Sequence, residues 1–138
     1  MFHAAKISIA LTAELVQQQF PRWSKLPIRP VELSGHDNRS FRLGDTMLIR
    51  LPSAKGYVEQ VQKEQLWLPK LAPYLSFQIP KPIAMGKPNQ NYPWNWSIYQ
   101  WIDGYSANTK DIDDSHLEHI AIALAQFLKE LHQIDSKD

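Results

Sequence analysis

The sequence predicts an α+β domain: a five-stranded antiparallel sheet with one packed helix, followed by a long C-terminal helix. Three observations carry that expectation. Short runs of strand-forming residues lie at 31–34, 39–43, 47–51, 82–86 and 95–101, separated by turn-forming Gly, Pro, Asn and Asp. Between the third and fourth runs the apolar period lengthens to that of a helix, and it does so again over 115–134. A length of 138 residues builds one compact domain and leaves little room for two.

Taken in order, Thr12 as N-cap and Pro21 as stop bound a short helix over 12–20. Val31 to Ser34 alternates as a strand. Arg39 to Leu43 and Met47 to Leu51 then form a hairpin about the turn Gly44-Asp45. Over 56–71, Tyr57, Val61, Leu68 and Leu71 share one helical face, and Pro69, which lacks an N–H, is expected to strain the last turn. The runs at 82–86 and 95–101 flank the polar turn Asn89-Gln90-Asn91. Ser115 and Glu118 read as a capping box opening the last helix. Its stripe of Leu117, Ile120, Ala121, Leu124, Phe127, Leu128 and Leu131 needs a large apolar partner, which predicts self-association or helix exchange through 115–134.

Composition removes several function classes. A net charge of +1 lacks the basic footprint of a general nucleic-acid binder. Zero cysteines exclude disulfides, thiolate nucleophiles and Cys-based metal sites. The N-terminus does not read as a signal peptide and no stretch reads as a membrane span, so a soluble, cytoplasmic protein is expected. There is no GxxxxGK[ST] run and no Gly-x-Ser-x-Gly setting, so neither a P-loop nor a serine-hydrolase elbow is present. His116 and His119 lie on the polar side of their helix and read as a solvated face, not a metal site.

Two charged residues sit where apolar ones are expected. Glu64 falls on the inward face of the 56–71 helix, and Arg50 interrupts the apolar run 47–51. An unpaired buried charge costs several kcal/mol, so the two are expected to meet. Such a pair serves as a strand-to-helix staple or as a grip on an anion such as phosphate, and the residues alone leave both open. The turn Ser34-Gly35-His36-Asp37-Asn38 has one glycine and reads equally as an ordinary Asn/Asp-rich hairpin turn. The cluster Tyr92-Pro93-Trp94-Asn95-Trp96 admits stacking on sugar rings or simple packing.

The order of these features resembles the N-terminal part of the aminoglycoside phosphotransferase family. The likeness rests on Gly35-His36-Asp37-Asn38, Phe41-Arg42-Leu43, Leu48-Ile49-Arg50-Leu51-Pro52, Glu59 to Glu64, Ile79-Pro80-Lys81-Pro82 and Ile98 to Gly104, and it runs over about residues 30–135. It implies a protein-kinase-like nucleotide-binding lobe with hinge over 1–104, and over 105–138 a linker and helix leading toward a second lobe. It implies that Arg50 takes the place of the strand lysine on the α- and β-phosphates, with Glu64 as the helix glutamate that orients it. Gly35, His36, Asp37 and Asn38 match the nucleotide-covering loop. Gln100, Trp101 and Ile102 match the hinge, where the Gln100 carbonyl and the Ile102 N–H would bond the base, with Tyr99 at the gatekeeper position.

The implied ligand is ATP or GTP with Mg²⁺, and the implied reaction moves the γ-phosphoryl group to a hydroxyl of an aminoglycoside-like acceptor, the chemistry of antibiotic resistance. The family's His-Gly-Asp segment and later metal-binding Asp belong to the second lobe. His132-Gln133-Ile134-Asp135 does not match them, so no catalytic residue and no metal ligand is assigned here, and the chain alone is expected to be inactive. The alternative is a non-catalytic binding module reading carbohydrate through Trp94, Trp96 and Trp101.

Overall fold

The computed structural model describes residues 7–32, 35–104 and 111–135. Its elements are α1 (Ile9–Gln19), β1 (Ile28–Pro30), β2 (Asn38–Leu43), β3 (Met47–Pro52), α2 (Glu59–Leu71), β4 (Pro82–Gly86), β5 (Trp96–Gln100) and α3 (Asp114–His132). All five strands join one antiparallel sheet in the order β1-β2-β3-β5-β4. Two helices pack on it, one on each face, where the sequence led us to expect one.

The hairpin β2–β3 turns at Gly44, whose φ of 60° lies in the left-handed region that glycine reaches without strain. Its pairing puts Phe41 opposite Ile49 and Leu43 opposite Met47, and Ile49 in turn pairs with Ile98 of β5. This row faces α1. Leu15 and Val16 of that helix close over Phe41, Leu43, Ile49, Leu51, Trp96 and Ile98, all buried, and these side chains form the hydrophobic core. Each is worth about 1.5–3 kcal/mol when fully buried, so this face supplies most of the driving force. Gly86 lies directly beneath Trp96, and a Cβ there would stand 1.9 Å from the indole Cε2.

Several boundaries differ from expectation for local reasons. Helix α1 begins three residues early because Ser8, not Thr12, is the N-cap: the Ser8 hydroxyl accepts from the Leu11 N–H at 3.1 Å. Thr12 is buried and donates back to the Ser8 carbonyl at 2.8 Å. The first strand lies at 28–30, not 31–34, although the Val31 N–H still bonds the Ser40 carbonyl at 3.1 Å. Leu33 and Ser34 lie outside the described residues. A 3₁₀ turn at Lys55–Tyr57 precedes α2, so Tyr57 is not part of the helix proper. Pro69 sits inside α2, which runs on to Leu71 and then tightens into a 3₁₀ turn at Ala72–Tyr74.

Helix α3 is capped by Asp113, which accepts from the His116 N–H, and Ser115 donates to the same carboxylate. The expected capping box is displaced because Asp113 already satisfies the first-turn donor. The apolar stripe exists but is largely uncovered: Leu117, Ile120, Leu124 and Leu128 are each more than 40% exposed. The helix touches the rest of the chain near its C-terminal end, where Phe127 stacks on Phe77 at 5.5 Å and Glu130 accepts from the Ser76 hydroxyl at 2.5 Å. Residues 105–110 of the expected linker are outside the described set. Among the described residues no helix is long and apolar enough to cross a membrane.

Candidate functional site

The side chains of Ser40, Arg42, Leu48, Arg50, Ser97 and Tyr99 alternate with the core row and belong to the other face of the sheet. Register aligns Ser40 and Ser97 on either side of Arg50, and Arg42 and Tyr99 on either side of Leu48. A small serine on each neighbouring strand leaves the long Arg50 side chain room to lie over the sheet. Helix α2 covers part of this face, burying Val61 and bringing Glu64 to the arginine.

Arg50 Nη1 donates to Glu64 Oε2 at 3.4 Å, and both side chains are 28% exposed. The two charged residues that break the sequence pattern therefore meet, at the boundary of the interior. At 3.4 Å the bond is longer than a tight charge-assisted one, and it engages one of five guanidinium N–H donors. The arginine is steered by Glu64 without being saturated by it. The ring of Tyr99 lies 5.5 Å from the guanidinium carbon, and its hydroxyl donates to the same Glu64 oxygen. Burial, reinforced by that carboxylate, raises the Tyr99 phenol well above its usual pKa, so it remains a donor.

The space left among Asn38, Arg50, Gln60, Glu64 and Tyr99 is about 10 Å³. That is room for about one water, too little for a phosphate group.

The turn before β2 is exposed at Gly35, His36 and Asp37. It is tethered to the end of β3, because the Ser53 hydroxyl donates to the His36 and Asp37 carbonyls at 3.0 and 2.9 Å. The loop and Arg50 thus share one strand as a frame. At the far end of β5, Gln100 and Ile102 are exposed. The Gln100 N–H is taken by the Lys81 carbonyl and the Trp101 N–H by the Thr46 carbonyl, both at 2.8 Å, which ties this segment to the residues that lead into β4 and β3 on either side. Arg42 lies 4.5 Å from the Trp101 ring, a cation–π contact. A groove of about 610 Å³ opens between this segment and the end of α2, lined by Leu68, Pro69, Phe77, Ile79 and Gln100 among others.

The tryptophans do not assemble into one platform. Trp96 is fully buried on the α1 face, Trp94 meets Tyr92 edge-on at 5.6 Å, and Trp101 lies against Arg42 just past β5. His116 and His119 are exposed, and the His116 ring lies 2.8 Å from Asp113. Among the described residues no group of three or more His, Cys, Asp or Glu is placed to hold a metal ion.

Comparison with known proteins decides what this arrangement belongs to. The model of the phosphotransferase enzyme family matches residues 27–138. The chain belongs to the phosphotransferase enzyme family. No curated protein gives a significant match. Among solved structures, the GDP complex of wild-type aminoglycoside 2'-phosphotransferase-IIIa aligns with a TM-score of 0.83 at 20% identity, covering 94% of this chain and 43% of that one. The GDP and kanamycin complex of APH(2")-IIIa gives 0.80 at 21% identity, covering 93% and 43%. The streptomycin–ATP–APH(2")-IIa ternary complex gives 0.64 at 23% identity, covering 95% and 42%.

These matches establish the kinase-like fold of the family's N-terminal lobe. This phosphotransferase-family chain spans about two-fifths of the length of the structures it matches.

Two features of the site escaped sequence reasoning. Gln65 Nε2 donates to the Ala84 carbonyl at 3.0 Å and to Ser97 Oγ at 3.2 Å. The available signal was Ser97 itself, a lone small polar residue between Trp96 and Ile98 in a strand buried on both faces.

Proposed function

We propose that this chain is the nucleotide-binding lobe of a small-molecule phosphotransferase, with the lobe and hinge over 1–104 and 105–138 leading toward a second lobe. The observation that carries the reading is Arg50, held on the central strand by Glu64 of α2 at 3.4 Å, on the face of the sheet between the tethered turn and the hinge segment. In this reading the guanidinium takes the α- and β-phosphates of ATP or GTP through its remaining N–H donors. The turn Gly35–Asn38 covers the phosphates, and the backbone of Gln100 and Ile102 receives the base.

Matched structures of the same fold hold GDP or ATP, which supports a nucleotide ligand. Some of them hold kanamycin or streptomycin, which supports an aminoglycoside-like acceptor and, with it, a role in antibiotic resistance. Mg²⁺ would enter with the nucleotide, but the described residues offer no ligand cluster for it, so no step is assigned to it here. Transfer of the γ-phosphoryl group to an acceptor hydroxyl needs a base and metal-binding carboxylates, so these 138 residues alone are expected to bind without turnover. A cytoplasmic setting, where nucleoside triphosphates are abundant, fits this reading. For the chain taken by itself, we infer that two copies associate through the exposed stripe of α3.

Tryptophan fluorescence tests the ligand. Mg-ATP or Mg-GTP should quench emission saturably while simple sugars do not, and Arg50→Ala should weaken the nucleotide response. Saturable quenching by sugars alone would replace this reading with the carbohydrate-binding one. A monomeric mass by light scattering at high concentration would refute association.

A further inference from the structure

The polar side chains on the α2 face form two sets of hydrogen bonds, made by the adjacent residues Gln65 and Glu64 of α2. Gln65 of α2 donates one amide hydrogen to the Ala84 carbonyl on β4 and the other to Ser97 Oγ on β5, at 3.0 and 3.2 Å. Ser97 lies two residues before Tyr99 on the same face of β5. The Tyr99 hydroxyl donates to Glu64 Oε2, the oxygen that also accepts from Arg50 Nη1. Ser97 and Tyr99 are 1% and 2% exposed, so neither has access to bulk water. Each member is in a role its chemistry allows: a serine that accepts, a phenol that donates, a carboxylate that accepts twice.

We propose that Gln65, Ser97 and Tyr99 are positioning residues for the phosphate-binding arginine, acting through Glu64 and without contact to the nucleotide. The proposal rests on the reading of Arg50 given above and adds the device that aims it. Glu64 alone cannot do this, because a single 3.4 Å bond to a partly exposed guanidinium leaves the carboxylate free to rotate with its own side chain. The Tyr99 bond removes that freedom, and the bonds from Gln65 to Ala84 and Ser97 pin the turn of α2 that carries Glu64 to β4 and β5. The raised pKa of the buried phenol keeps the donor in place through the neutral and mildly alkaline range. The resemblance implies the gatekeeper position for Tyr99, and its hydroxyl is turned to Glu64.

The test compares a nucleoside with its triphosphate on the full chain by calorimetry, in wild type, Tyr99→Phe, Ser97→Ala, Glu64→Ala and Tyr99→Phe/Glu64→Ala. Tyr99→Phe should weaken triphosphate binding about 5- to 10-fold and leave nucleoside binding unchanged, the size of one ordinary hydrogen bond, because the bond lost is to the positioning carboxylate and not to the ligand. Ser97→Ala should act in the same direction and more weakly. It carries the test if Tyr99→Phe does not fold. The double variant should bind triphosphate no worse than Glu64→Ala, because both changes break one linkage.

Unchanged triphosphate affinity in Tyr99→Phe, or losses that add in the double variant, would overturn the proposal while leaving the nucleotide reading intact. Equal affinity of wild type for nucleoside and triphosphate would instead overturn the phosphate role of Arg50, and this inference with it.

Discussion

The two faces of the sheet are closed by different chemistry. On the α1 face, Leu15 and Val16 seal an apolar layer of Phe41, Leu43, Ile49, Trp96 and Ile98. On the α2 face, one buried apolar residue of the helix, Val61, is joined by a hydrogen bond that Glu64 accepts from Tyr99 and by bonds that Gln65 donates to Ser97 and Ala84. Apolar contacts are strong in sum but non-directional, whereas hydrogen bonds fix distance and angle. The face that carries stability is built from the first, and the face that must aim a charged side chain is built from the second.

That contrast is sharpest in what substitutions should do. Trp96→Ala should cost about 3–5 kcal/mol in urea unfolding, because it empties the largest fully buried site in the core. Gly86→Ala should cost about 1–3 kcal/mol by driving a methyl group into the same indole. Neither change touches Arg50, so any fraction that remains folded should keep its nucleotide affinity. A large selective loss of affinity in a folded Gly86→Ala protein would break the division between faces.

Arg50→Ala should do the reverse. With the pair only 28% exposed on each side yet loosely bonded, its loss should change stability by about 1 kcal/mol or less. Nucleotide affinity, measured by titration on protein shown to be folded by circular dichroism, should fall about 10- to 100-fold through loss of charge-assisted hydrogen bonds.

The two tyrosines with raised pKa values, Tyr92 on the core side and Tyr99 on the other, give a pH effect of known sign. Burial raises both phenols, so the unfolded chain loses these protons more readily than the folded one. Stability is fully present below the unfolded tyrosine pKa of about 10 and declines as pH rises above it, by up to about 1.4 kcal/mol per pH unit for each group. Urea midpoints between pH 8 and 11 should show this decline, and tyrosinate absorbance from these two residues should appear only with unfolding.

The smallest effect expected is at α3. Asp113 is held below the usual carboxylate range by the His116 backbone N–H, helped by Ser115 and the His116 ring. Its contribution to helix capping is present above the ordinary carboxylate pKa and lost as acid protonates it. Asp113→Ala should therefore lower helical circular dichroism slightly at neutral pH and make no difference in strong acid, and Ser115→Ala should do less.

Much of this fold was legible because the strands alternate cleanly and their turns carry glycine or asparagine. The hairpin about Gly44 and the pair β4–β5 were placed to within a residue or so for that reason. Arg50 and Glu64 could be paired from sequence because each violates an otherwise apolar pattern, and a violation points to a partner. Helix starts were misplaced where two side chains competed to cap: Ser8 against Thr12, and Asp113 against Ser115. Local sequence does not show which of the two hydroxyls or carboxylates the backbone will turn toward. The bonds of Gln65 to Ser97 and of Tyr99 to Glu64 were hidden for a different reason. Their members lie 32 and 35 residues apart and become neighbours only through the packing of α2 on β5, which no single segment encodes. The tryptophans misled in the same way, since parity along β5 sends Trp96 to the face opposite Arg50.

A crystal structure of the chain soaked with a non-hydrolysable triphosphate and Mg²⁺ tests the central claim directly. A phosphate oxygen within hydrogen-bond reach of the Arg50 guanidinium, with Glu64 still bonded to both Arg50 and Tyr99 and the base against the Gln100–Ile102 backbone, is the expected result. A nucleotide bound elsewhere, or one whose phosphates leave Arg50 untouched, would contradict it.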